Sequence, residues 1–157
     1  MKATWTKPQA PWGSLFGAHE EFRQHPHRGA DQVLKEGELW KFPTNALVNE
    51  IFWSDVIGWV VEFQDIENTY IQIAHLKAKP KSYKSGDRME AGKPLGLCGN
   101  TGSASTGAHG HWAMSKKPHP HLLPYGDLID PKKYWEDRVT AEPKPTPKPK
   151  VKNEKTK

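Results

Sequence analysis

Eight histidines stand among 157 residues, and six of them form three His-x-His pairs, His25/His27, His109/His111 and His119/His121. Histidine is the commonest side-chain metal ligand and the usual general base near neutral pH. At i, i+2 in a strand both imidazoles leave the same face. His109 and His111 can therefore serve one site, one on a metal and the other on a water or substrate beside it. The segment HRGAD, 27–31, places His27 and Asp31 on either side of Gly29. With Gly29 inside it and Pro26 ahead of it, this spacing predicts a turn running into a strand rather than a helix. Two His and one Asp with an open fourth position make a catalytic zinc donor set, whereas structural zinc sites close with four protein ligands. On spacing alone His19 or His25 can replace His27. The single cysteine, Cys98, excludes both an intrachain disulfide and a thiolate-rich metal site, and its apolar strand predicts a core position. His75 taken alone reads as a packed strand histidine. His119 and His121, in KKPHPHLLP, read as surface residues on an extended loop imposed by the prolines.

The elements that must position these groups are mostly strands. Residues 46–52, 56–64 and 69–76 are β-branched and aromatic with partial alternation. The break at Asp65–Asn68 suits a hairpin turn, and period-two alternation puts Ile71, Ile73 and His75 on one face. The glycine-rich stretch 84–107 predicts tight turns around a short strand near Pro94–Cys98. Residues 109–114 predict another strand, whose Gly110 lets a neighbour pack closely on the face opposite the two histidines. Asp127–Trp135 closes the domain, with a short helix after Asp130–Pro131. The expectation is a mainly β, single-domain protein built on an antiparallel sheet with a substrate groove and few short helices. An irregular lead-in, 1–18, precedes a domain over 19–136.

The formal net charge is +5, and +4 of it comes from residues 140–157, which hold six Lys and two Glu. A nearly neutral body argues against a specific nucleic-acid partner. Residues 137–157 read as a Pro/Lys-rich disordered tail or linker, able to make weak electrostatic contact with an anionic cell wall. No run approaches the ~18–20 apolar residues of a membrane span. The first 13 residues hold Lys2 and Lys7 but no apolar core of a secretory signal.

Four blocks, taken in order, resemble the lysostaphin-like zinc endopeptidases that cut peptidoglycan cross-bridges and stem peptides. They are SLFG (14–17), HRGAD (27–31), YIQIAHL (70–76) and GDRMEAGKPLGLCGNTGSASTGAHGHW (86–112). The last is the specific one, similar to the family's Gly-x-x-Gly-x-Thr-Gly-x-Ser-x-Gly-x-His-x-His run. The resemblance covers roughly 13–135 and implies a lysostaphin-type fold, like a duplicated hybrid motif. It also implies one zinc ion held by His27, Asp31 and His111, with His75 and His109 as catalytic histidines. His109 would act as the general base and His75 would bond the developing oxyanion or the attacking water. Two departures stand out. The aromatic after the second histidine is followed by Ala113 where the family usually has Glu, and His19 stands where the family usually has Arg. The implied function is hydrolysis of peptide bonds in peptidoglycan by a monomer. Without an apolar leader, the expected setting is a bacteriophage endolysin or virion-associated lysin, made in the host cytoplasm and released by a holin or carried in a virion. The competing expectation is a non-catalytic, zinc-containing wall-binding or virion tail module with the same fold.

Overall fold

Strict alternation along β8 (Gly110–Ser115) organises the molecule: Gly110, Trp112 and Met114 face one side, and His111 and Ala113 face the other. The computed structural model describes residues 2–20 and 25–139. Around β8 runs a seven-stranded sheet in which every pairing is antiparallel. It contains β1 (Ala30–Gln32), β3 (Ala46–Ser54), β4 (Gly58–Gln64), β5 (Tyr70–Leu76), β6 (Arg88–Met89) and β9 (Leu128–Ile129). The order is β1-β8-β5-β4-β3-β6, with β9 pairing β8. A separate ribbon pairs β2 (Leu39–Lys41) with β7 (Pro94–Leu97). The mainly β antiparallel expectation holds, and the turn at Asp65–Asn68 is present, closed by Asn68 N–H on Asp65 O at 2.9 Å.

One face of the sheet carries the core. Trp40 of the ribbon packs edge-on to Trp112, and its ring fills the space beside Gly110. A Cβ on Gly110 would sit 2.6 Å from Trp40 Cζ2, so only glycine admits the ring. Residues 2–18 form no strand beyond the single bridge Trp12–Gln32, yet they bury Trp5 completely. Trp5, Trp12 and Trp112 all meet Trp135 in tilted or edge-on contacts at 4.9–5.5 Å. Trp135 lies on helix α1 (Pro131–Val139), which begins after Asp130, as the Asp–Pro pair predicts. Asp130 Oδ1 accepts from Lys132 N–H, a cap for the otherwise unpaired first turn. The remainder of the basic tail, 140–157, lies outside the described residues.

The hairpin turn and α1 are tied by Arg138. Its Nε and Nη2 each donate to Glu67 at 2.7 Å, and its guanidinium lies 3.3 Å from the Tyr134 ring centroid. The Arg138 hydrogen bonds hold the Glu67 carboxyl down at about 2. An unfolded Glu titrates near ~4.3. A depressed folded value means stability that is fully present above the unfolded value and lost as pH falls through about 2. Glu67→Gln is therefore expected to be less stable than the parent at pH 6, with the difference shrinking between pH 4 and pH 2 in thermal melts.

The register between β4 and β5 is irregular in one place. Trp59 faces Leu76 and Val61 faces Ile73, so Val60 opposes two residues, Ala74 and His75. His75 takes a left-handed φ of 65° to absorb the extra residue. Such a bulge moves every later side chain to the other face. His75 thus leaves the face of Ile71 and Ile73, on which simple alternation places it, and enters the opposite one.

Candidate active site

The face opposite the core forms an open groove of about 690 Å³. His27, on the loop leading to β1, is almost fully buried. Its Nδ1 contacts Leu15 O at 3.2 Å, and a carbonyl can only accept, so the proton is on Nδ1 and the lone pair on Nε2. Ser14 Oγ also lies 3.1 Å from Nδ1. Nε2 turns toward His111 Nδ1, 3.2 Å away, and Asp31 Oδ1, 3.4 Å away. Asp31 Oδ1 is 3.0 Å from His111 Nδ1. These three atoms all lie within 4.8 Å of one another. Two imidazole nitrogens and one carboxylate oxygen converging with no bulky group between them fit a zinc ion, with room for a fourth partner on the groove side. Among the described residues this is the one such cluster, and neither His19 nor His25 takes part.

The electrostatics suit a cation. Burial works to raise the Asp31 pKa, but the neighbouring His111 and His27 outweigh it and hold the carboxyl well below the usual range. Burial lowers the pKa of His111 against the pull of Asp31, favouring the neutral ring that can ligate.

His75 and His109 stand beside the trio, their rings 4.7 Å apart. His75 Nδ1 donates to Thr101 O at 2.6 Å, and His109 Nδ1 donates to Gly107 O at 2.7 Å. Both therefore carry the proton on Nδ1 and keep a bare Nε2; that of His109 lies 3.9 Å from Asp31 Oδ2. Burial, the main cause, pulls the His75 pKa down to about 4, so the ring is neutral at pH 7. A neutral ring with a bare Nε2 accepts a hydrogen bond and cannot donate one from that atom.

The structure thus brings together all five residues singled out in the sequence, and adds others. Thr101 Oγ1 donates to Leu76 O and accepts from Trp59 N–H, locking the glycine-rich run onto the β4–β5 bulge so that its own carbonyl holds His75. The His119–His121 segment departs from expectation. It is a short 3-10 turn, Pro120–Leu122, entered through a left-handed His119, and His121 lines the groove rather than lying on an open surface. Cys98 is buried and free, as its apolar strand predicts.

Fold and site together are those of an antiparallel sheet whose open groove carries a His/Asp donor set. More particularly, the chain belongs to peptidase family M23, whose sequence model matches residues 25–130. It is 32% identical over 111 residues to the L-Ala–D-Glu endopeptidase of Bacillus subtilis (strain 168). That match covers 61% of this chain and 34% of the relative, so the chain spans about a third of that protein's length. Among solved structures, LytU is similar at 28% identity and a TM-score of 0.69, over 83% of this chain and 88% of that one. The catalytic domain of the antimicrobial peptidase lysostaphin from Staphylococcus simulans shares the fold, with a TM-score of 0.69 at 21% identity, over 81% of this chain and 92% of that one.

Proposed function

We propose that this chain is a zinc-dependent endopeptidase that hydrolyses peptide bonds in bacterial peptidoglycan. The observation that supports this most directly is the convergence of His27 Nε2, Asp31 Oδ1 and His111 Nδ1 next to two imidazoles with bare Nε2 atoms. In this reading those three residues hold the zinc. When bound, zinc supplies a lowered pKa for water and polarisation of the scissile carbonyl. His109 Nε2 takes the proton of the attacking water and returns it to the leaving amine. His75 Nε2, bare and neutral, accepts a hydrogen bond from that water and aims it. Of the two roles expected from the sequence, bonding the water or bonding the oxyanion, the fixed tautomer favours the first. Leu15 O, Thr101 O and Gly107 O each fix one ring by accepting its Nδ1–H, so no reorientation is needed during reaction. The name of the Bacillus subtilis relative makes an L-Ala–D-Glu bond the first one to try. A lytic role in a phage cycle belongs to the same proposal, and is tested by whether clearing of intact cells from within requires a co-expressed pore-forming protein.

The experiment pairs metal analysis with clearing of purified peptidoglycan, with and without a chelator. About one zinc per chain is expected, with clearing abolished by chelator and restored by zinc. Bound zinc without clearing across several wall types would favour the non-catalytic wall-binding or tail module. Clearing that survives complete removal of metal would overturn the zinc assignment.

A further inference from the structure

The groove has a polar end that the chemistry above does not use. Across β3, β4, β5 and β8, Glu50 faces Glu62, Glu62 faces Gln72, and Gln72 faces Ala113. Glu62 is completely buried. Its carboxylate accepts from Asn49 Nδ2 at 2.5 Å and from Gln72 Nε2 at 2.7 Å, with His119 Nδ1 at 3.2 Å. Because a carboxylate only accepts, Gln72 must present its amide nitrogen to Glu62. The second hydrogen of that NH2 goes to His121 Nδ1, also at 2.7 Å. His121 Nδ1 is therefore an acceptor, and the neutral ring carries its proton on Nε2. Stacking on Phe52, with ring centroids 4.9 Å apart, fixes the ring plane. Ala113, on the same face, adds no carboxylate of its own; among the described residues the acids near the His121 ring are Glu62 and Glu50.

Arg28 reaches the same turn. Its Nη2 donates to Leu123 O and, at 3.4 Å, to Pro120 O, the residue before His121. These bonds use one nitrogen of the fork. Arg28 is half-buried, lines the groove together with His121, and has no carboxylate partner among the described residues. The remaining N–H groups of the Arg28 guanidinium and the His121 imidazole N–H, on side chains held in place by protein, have no acceptor among the described residues. A guanidinium without a counter-ion selects a carboxylate over a neutral carbonyl, because the charge-assisted pair is the stronger. Glu62 does not pair with Arg28, since it lies behind Gln72 with its oxygens occupied.

We propose that Arg28 and His121 form a subsite for a free carboxylate of the substrate, so that the groove selects a peptide with an acidic residue beside the scissile bond. The proposal rests on the peptidase reading and names its substrate class. The probe is a pair of synthetic stem peptides containing Ala–D-Glu, in which the D-Glu carboxyl outside the chain is either free or amidated. Binding is measured in a His109→Ala background, which keeps the peptide uncut, and cleavage in the parent. The acid peptide is expected to bind roughly tenfold or more tightly than the amide. Arg28→Gln should bring that ratio close to one, and Arg28→Lys, which keeps the charge, should retain part of it. His121→Phe keeps the stack on Phe52, removes the N–H and should also lower the ratio. Zinc content read in parallel separates loss of the subsite from disturbance of the adjacent His27. Equal binding of the two peptides, or a preference that survives Arg28→Gln, overturns the subsite. Failure of the parent to cut either peptide or peptidoglycan counts instead against the peptidase reading, and the binding ratio still decides the subsite.

Discussion

Replacing His111 by alanine is expected to remove both the bound zinc and the activity, whereas replacing His109 by alanine should leave the zinc and lower kcat by roughly 10²–10⁴-fold, the usual range for loss of a general acid–base. The two residues are two apart and face the same groove, so a purely structural effect would strike both variants alike. Their surroundings differ. His111 Nδ1 lies 3.0 Å from Asp31 Oδ1 and 3.2 Å from His27 Nε2, inside the donor trio. His109 gives its Nδ1–H to Gly107 O and turns Nε2 to the groove, 3.9 Å from Asp31 Oδ2. Removing His111 leaves two donors, too few to hold the metal against dilution; removing His109 leaves all three. Metal analysis by mass spectrometry together with kcat on one peptide decides the matter. Comparable zinc loss in the two variants would defeat the division of roles.

The second large effect is expected at a residue with no side chain. A Cβ on Gly29 would overlap the Trp112 carbonyl oxygen and sit 2.8 Å from His111 Cε1. Trp112 O belongs to the backbone of β8, so it cannot yield without moving the strand that carries His111. Gly29→Ala should therefore cost about 1–3 kcal/mol or more, the range for overpacking a filled site. It should also weaken zinc binding, because the displaced ring belongs to the proposed zinc trio. Gly126→Ala is the control: its Cβ meets nothing within 4 Å, and melting temperature and zinc affinity should stay close to the parent. If Gly29→Ala melts and binds zinc like Gly126→Ala, the proposed clash is absorbed elsewhere.

Much of this was legible in the chain. β-branched and aromatic runs with partial alternation, such as β3 and β4, announce themselves as strands, and the His27, Asp31, His109 and His111 spacing is meaningful once two strands are set side by side. The failures have a common cause. The face of His75 depends on one extra residue opposite Val60, and a bulge leaves no mark in a sequence whose apolar run continues through it. The prolines of KKPHPHLLP predict an extended loop, yet Pro120 instead opens a 3-10 turn, since proline's fixed φ suits the first position of a helix equally well. Glu62 in VVEFQ looks like an outward strand position; its burial depends on Asn49, Gln72 and His119, which are distant in the chain. Arg28 and Thr101 were visible as letters within their motifs, but their work is done through backbone carbonyls of other segments. β6, two residues long, is too short to carry a pattern.

The two ends of the described body meet. Lys2 Nζ lies 2.8 Å from Asp137 Oδ2, and Ala3 N–H donates to the Glu67 carboxylate that Arg138 also grips. A short linker could therefore join residue 2 to residue 139 across a small gap. The same adjacency means that a cargo or targeting module tethered at either end would leave from one corner of the body.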